Sequence, residues 1–326
     1  MSTRRLPLLT LATLSAVAAL LPLSALAQAW PTKPVTLVVP FPPGGGNDLV
    51  ARQIAPGLQQ LLGQSVVVDN KPGAGGTLGV AYVTKAAPDG YTLSICATGN
   101  VAVAPALYSK LSYGVKDLVP VSHIVNTPTV WVGAPDLPVN TLKDFIALAK
   151  SQPGKFNFAS SGNGTTPHLA GEALKAKQGL DMQHVPYKGT TPAYTDIGSG
   201  RVSIMMDSLI SALPLLEGGR VKGLAMGTSA RLPKLPNVPT LTEQGLADMA
   251  FTGWVGICAP VGTPQAVVDR MSNAVNEVLA QPAVRESLVK QVTEPVGAGP
   301  AKFGELIQRD AAQWKKIVTD SNAQLD

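Results

Sequence analysis

Two polar, glycine-rich segments each stand between an apolar run and a helical pattern, and both are built to hold a ligand rather than to react with one. The first is Pro43, Gly44, Gly45, Gly46, Asn47 and Asp48, which follows the β-branched run 35–40 and Phe41. Its glycines let the backbone approach a bound group closely. Asp48 can cap the helix that follows by accepting a backbone N–H. The N–H groups left over and the helix dipole suit an anion, worth about 0.3–1 kcal/mol from the dipole alone. The same residues would also serve an ordinary tight turn. The second segment is Ser160, Ser161, Gly162, Asn163, Gly164, Thr165 and Thr166, with Pro167 suited to the first helical position. Hydroxyls, an amide and flexible backbone donors converge there, which favours ligand contact. His168 follows one residue later, as a ligand group or as a structural hydrogen-bonder. Asp207, directly after the apolar run 202–206, is placed either to orient a ligand or bridging water, or to cap a helix at 208–215.

Signatures of catalysis do not accompany these segments. The chain holds no H-E-x-x-H, no C-x-x-C and no G-x-S-x-G elbow. The run Gly73, Ala74, Gly75, Gly76, Thr77, Leu78, Gly79 has the wrong spacing for a dinucleotide fingerprint, and no Lys-Ser/Thr follows a glycine run as in a P-loop. His123, His168 and His184 are not spaced as a zinc site. We therefore expect neither an enzyme nor a cofactor or metal.

Positioning the two segments is the task of a repeated strand, Gly/Pro turn and helix. Strands are expected at 35–40, 66–69 and 91–97, with helices at 49–62 and 79–86. Residues 121–132 read as two short β runs broken at Thr127-Pro128. The pattern restarts with helices at 142–150, 166–177 and 192–198 and strands at 156–159, 184–187, 202–206 and 224–226. After 254–260 come two helices, 264–279 and 300–318. Alternation of this kind gives mainly parallel sheets flanked by helices, an α/β fold. Such a sheet binds ligands beyond the carboxyl ends of its strands, which is where all three candidate segments fall. The units are too many for one sheet of ordinary width. They divide into a first lobe of residues 30–126 plus 252–326 and a second lobe of 127–251, joined by two hinge strands.

The N-terminus describes an export signal. Arg4 and Arg5 precede the apolar run 8–23, and Ala25-Leu26-Ala27-Gln28-Ala29 offers A-x-A cleavage sites. Residues 1–27 are thus expected to be a signal peptide, with cleavage after Ala29 as the alternative. The run is short for a membrane span and contains Pro22. Residues 1–29 hold two Arg and no acid, so 24 basic residues face 21 acidic ones in the remainder, a net charge of +3. The basic residues are scattered and aromatics are few, which excludes a nucleic-acid surface. A weak positive field would favour approach of a small anion.

Taken in order, the motifs resemble the extracytoplasmic receptors of tripartite tricarboxylate transporters, the Bug family. They run from Trp30-Pro31-Thr32-Lys33-Pro34 through Val38-Val39-Pro40-Phe41-Pro42-Pro43-Gly44-Gly45 with Asp48, and Lys71-Pro72-Gly73-Ala74-Gly75-Gly76. Pro88-Asp89-Gly90-Tyr91-Thr92-Leu93, the Ser161–Gly164 loop with His168, and His184-Val185-Pro186-Tyr187-Lys188-Gly189 follow, then Pro239-Thr240 and Ala259-Pro260-Val261-Gly262-Thr263-Pro264. The resemblance covers essentially the whole chain after the leader. It implies a type II, two-lobed periplasmic binding protein, each lobe a mixed, mostly parallel sheet, closing on a small organic carboxylate. In that family the two glycine-rich loops hold one ligand carboxylate through backbone amides, hydroxyls and waters. Phe41 and Tyr187 belong to the motifs beside them. The segment Cys96-Ala97-Thr98-Gly99-Asn100 departs from the family, so Thr98 and Asn100 are expected to bear on ligand choice. The implied partners are the membrane permease subunits of a tripartite tricarboxylate transporter, served by a monomeric periplasmic receptor. A sensory receptor for a two-component membrane kinase is the alternative. In the type II fold the strand holding Cys258 lies antiparallel beside the one holding Cys96. Both strands are apolar and only some registers permit a bond, so two buried free thiols are expected.

Overall fold

The computed structural model describes residues 30–321; the signal peptide read at 1–27 lies outside the described residues. Ten strands form one continuous, curled sheet in the order β2-β1-β3-β9-β4-β7-β5-β6, with β8 and β10 also paired to β4. The first half opens with β1 (Val35–Val39), α1 (Gly46–Leu62), β2 (Val66–Asn70), α2 (Thr77–Thr84) and β3 (Thr92–Ala97). β1 runs parallel to both β2 and β3, and four of its five residues are buried, as expected of a strand covered on both faces. α1 buries Val50, Ala51, Ile54, Ala55, Leu58 and Leu62 along one stripe and stops at Gly63, whose φ of 68° is left-handed. A π-helical turn at Thr98–Val103 and the short α3 (Ala104–Leu107) follow β3.

β4 (Leu118–Gly133) is a single strand of 16 residues, not the two runs expected on either side of Thr127-Pro128. From Leu118 to Pro128 it pairs antiparallel with β9 (Thr252–Pro260). From Thr129 to Gly133 it pairs antiparallel with β7 (Ile204–Ser208) instead. The proline that looked like a break sits where the strand changes partners, a place where the missing N–H costs little.

The second half contains α4 (Leu142–Ser151), β5 (Phe156–Ser160), α5 (Thr166–Gln178), β6 (Met182–Pro186), α6 (Thr190–Gly198), β7, α7 (Leu209–Glu217) and β8 (Lys222–Met226). β5 is parallel to β6 and β7, whereas every pair made by β4 or β9 is antiparallel. After β9 the chain forms α8 (Gln265–Ala280), α9 (Pro282–Lys290), β10 (Glu294–Ala298) and α10 (Pro300–Ser321). α9 and β10 have no counterpart in the sequence reading. Both are short, and β10, with no buried residue among its five, carries little pattern. α10 packs on β4, on the π-helical turn and on α5, so it spans both halves. Phe303 of α10 meets Trp254 edge-on at 5.2 Å, and Trp254 Nε1 donates to Asp310 Oδ2 at 2.8 Å. Among the described residues no helix is long and apolar enough to cross a membrane.

The cysteine expectation is corrected: Cys96 and Cys258 form a disulfide. Cys96 lies opposite Gly256 and Cys258 opposite Ser94. The two are therefore diagonal neighbours on the same face, with Cα atoms 6.0 Å apart, inside the range a disulfide requires. Thiol titration of the unreduced, denatured protein should find no free thiol. Reduction should lower the thermal midpoint, because a link across 162 residues constrains the unfolded chain by about 2–5 kcal/mol.

Candidate ligand-binding cleft

Beyond the carboxyl ends of β1, β3, β5, β6 and β7 lies a cavity of about 290 Å³ that draws its walls from both halves of the sheet. Four helices begin at it. Their N-cap residues, Gly45 of α1, Thr165 of α5, Gly189 of α6 and Ser208 of α7, all line the cavity. In none of the four does the N-cap side chain accept a first-turn N–H. Free N–H groups and four positive dipole ends thus face one small space, an arrangement suited to an anion. At α1 the approach is close: a Cβ on Gly46 would come within 2.7 Å of Ile210 of α7.

Half of the expected site residues form the wall. Phe41, Pro43, Gly45, Gly46, Asn47, Thr98, Ser161, Thr165 and Asp207 all line the cavity. The other nine do not line it: Gly44 and Asn163 are exposed, and Asp48, Asn100, Ser160, Gly164 and His168 are buried. Asp48 is 2% exposed and does not cap the first turn of α1, which starts at Gly46 and not at residue 49. Its carboxylate instead accepts from the Gly44 amide, Arg52 Nε and Asn70 Nδ2, each at 2.9 Å. Burial alone would raise its pKa, but the hydrogen bonds from Arg52, Gly44 and Asn70 hold it below the usual carboxylate value. Arg52 is thereby turned away, its other arm donating to Asn70 Oδ1 at 2.8 Å.

A second buried group supports the loop after β5. Ser160 Oγ lies 2.7 Å from His184 Nε2 and accepts from the Gly162 amide at 3.2 Å. His168 Nδ1 accepts from the Gly164 amide at 3.3 Å, and the His168 and His184 rings stack at 4.2 Å. Burial lowers the pKa of both; His184, with His168 and Lys175 adding to the effect, is brought down to about 3. The Asn163 carbonyl accepts from Tyr108 Oη of the first half at 2.9 Å. Tyr187 Oη donates to Asp196, which also binds Arg201. Asn100 is buried, its Oδ1 accepting the Ala97 amide at 2.9 Å, so it shapes the turn that presents Thr98.

Asp207 lies within β7, one residue before its end rather than after it, lines the cavity and is 5% exposed. Burial raises its pKa to about 7, against the opposing hydrogen bonds of the Ser208 amide and of Tyr194 Oη, the latter at 3.0 Å. Ser208, not Asp207, is the N-cap of α7.

Several lining residues were not anticipated. Lys188, in the third strand-to-helix loop, and Thr190 and Thr191, which open α6, also line the cavity; the placement logic of the first two loops would have found them. Thr127 and Thr129 of β4 and Trp254 of β9 line the floor, and nothing in their local sequence marks them. Among the described residues no cluster of three or more His, Cys, Asp or Glu is placed to hold a metal.

The curled mixed sheet and its cleft define the periplasmic binding-protein fold, and the solved structures agree. BugD, a periplasmic binding protein, superposes with a TM-score of 0.86 at 33% identity, over 90% of this chain and 99% of that one. The R. palustris protein Rpa4515, solved with adipate, gives 0.85 at 34% identity, over 90% and 98%. MatC from Rhodopseudomonas palustris, solved with malate, gives 0.84 at 34%, over 89% and 100%. BugT of Bordetella pertussis is 35% identical over 301 residues, 92% of either chain. Residues 50–323 match the tripartite tricarboxylate transporter family receptor model, and the chain belongs to that family. Its family and structural neighbours are binding proteins, not enzymes.

His184 gives this wall an acid limit. Neutral in the fold down to about pH 3 but ordinarily titrating at 6.5, it lets the unfolded chain bind more protons between those values. Stability then falls as pH drops through that window. The thermal midpoint should decline from pH 6 to pH 4, and the decline should be shallower in His184→Asn.

Proposed function

We propose that the protein captures a small organic carboxylate in this cleft, in the periplasm, and delivers it to the membrane permease subunits of a tripartite tricarboxylate transporter. The observation that carries the reading is the convergence of four helix N-termini without side-chain caps on one cavity. One helix comes from the first half and three from the second, so an anion held by all of them ties the halves together. Residues 30–126 with 252–326, and residues 127–251, then act as two lobes hinged at β4 and at the entry to β9. Ligand contacts available only in the closed form shift the population toward it. Adipate and malate in the neighbouring structures support a carboxylate of that size. Residues 1–27 would direct export and be removed, leaving a monomeric receptor.

Holding the anion by amides and hydroxyls rather than by an ion pair has a measurable consequence. Lys188 at the cavity wall is exposed and solvated, and Arg52 and Arg201, the nearest arginines in sequence to the site, are engaged by Asp48 and Asp196. Affinity should therefore fall less than about tenfold between low and moderate salt.

A thermal-shift screen of mono-, di- and hydroxycarboxylates tests the reading, since a ligand at 100 times its Kd stabilises by about 2.7 kcal/mol. No shift with any acid would remove it. Gly45→Leu tests the loop. The Cβ has room, with Pro42 O at 3.7 Å and Thr190 Oγ1 at 3.9 Å, and the φ of −78° suits any residue. The rest of the side chain must then enter the anion's place. The variant should keep its fold and lose binding by calorimetry; undiminished affinity would take this loop out of the site.

A further inference from the structure

We propose that carboxylate capture in this cleft is proton-coupled through Asp207, which takes up a proton as the anion enters and donates a hydrogen bond to it. The inference rests on the reading of the cavity as a carboxylate site. Asp207 lines that cavity while being 5% exposed. The cavity holds about 290 Å³, so a carboxylate bound in it shares that small space with Asp207. Two carboxylates brought together in a desolvated site do not both stay ionised, and the proton that resolves the conflict goes to the more buried group.

No buried cation is paired with Asp207 among the described residues, and the cation at the cavity wall, Lys188, is exposed to solvent. From α6, Tyr194 Oη donates to Asp207 Oδ2 at 3.0 Å and is itself held neutral by burial. From β4, Val130 is the residue opposite. α7 contributes Ser208 and Ser211 at the cavity wall. α5 also packs on β7 and carries His168, Glu172 and Lys175, with Glu172 and Lys175 paired to each other. Lys188 is the other charged lining residue, and it is exposed. No salt bridge reaches Asp207 among the described residues. Before any ligand arrives, burial has already brought its pKa up to about 7, while the three histidines are pushed below their ordinary value. Asp207 is thus the group in the cleft poised to change charge between pH 6.5 and 8.5.

Two measurements decide it. The first needs no ligand: carbon-13 NMR of the aspartate carboxyls, with Asp207 assigned by comparison with Asp207→Asn, should show it titrating near neutrality. A carboxyl ionised throughout pH 5 to 8 overturns the proposal whatever the ligand. The second is calorimetry with malate and with adipate in buffers of different ionisation enthalpy. At pH 7.5 binding should take up most of one proton, and affinity should fall roughly twentyfold from pH 6.5 to 8.5, following one-proton linkage. Asp207→Asn should bind at both pH values with little difference and no proton uptake. Absence of uptake, or loss of binding in Asp207→Asn at every pH, would show an ionised Asp207 receiving a donor group from the ligand and overturn the proposal. Failure of both acids to bind at any pH would count against the carboxylate reading, and the NMR titration would still decide the state of Asp207.

Discussion

A strand in the middle of a sheet must find partners for its backbone N–H and C=O groups on both sides along its whole length, and β4 meets that demand with two different sets of neighbours. Its first part lies between β9 and β10 and its last part between β7 and β8. The partner change falls between Pro128 and Thr129. That single crossing makes one continuous sheet out of two parallel-stranded groups. It also sets the carboxyl ends of β1 and β3 against those of β5, β6 and β7, across a gap floored by Thr127 and Thr129. Every helix that opens onto the gap does so because it follows one of those strands. The four converging N-termini are a consequence of topology before they are a property of any loop.

Topology brings backbone donors to the cavity, and buried side chains keep them aimed. Behind the loop after β1, Asp48 gathers the Gly44 amide, Arg52 and Asn70. Behind the loop after β5, the stacked His168 and His184 hold Gly164 and Ser160. Each cluster satisfies polar groups that would otherwise be stranded out of water, which costs about 1–3 kcal/mol apiece. The two differ in character. The first is ionic and buries a carboxylate among donors, whereas the second is neutral and depends on its imidazoles staying unprotonated.

What the sequence made legible was whatever is written locally. The loops at 43–48 and 160–166 are marked by glycine, hydroxyl and amide side chains between a strand and a helix, and Asp207 by its place at the end of an apolar run. Long-range register is written nowhere locally. Thr127, Thr129 and Trp254 look like ordinary strand residues until the crossing of β4 and the return of β9 bring them to the floor. The same holds for Cys96 and Cys258. Their strands were placed side by side from the family resemblance, but the two-residue offset that puts both on one face follows only from the observed pairing of Ser94 with Cys258. Within the loops, sequence could not separate wall from support. Asp48, Asn100, His168 and Tyr187 have the chemistry of ligand groups and instead hydrogen-bond inward or to neighbouring side chains.

A receptor that captures and then delivers must hold its ligand without making release prohibitive, and the charge layout fits that demand on the proposed reading. An arginine paired with the ligand in a closed cleft would have to be desolvated on closure and rehydrated on opening, a large cost at each step. Here the arginines beside the loops are occupied by neighbouring carboxylates, Arg52 by Asp48 and Arg201 by Asp196, while Lys188 at the cavity wall stays exposed to water. Attraction is left to amide groups and partial helix charges that the fold has already oriented. These require no reorganisation when the anion arrives and no desolvated arginine has to be rehydrated when it departs. The amides of α1 belong to one half of the sheet and those of α5, α6 and α7 to the other. On the proposed reading, opening the cleft divides the donor set, and neither half alone keeps the field that holds the anion.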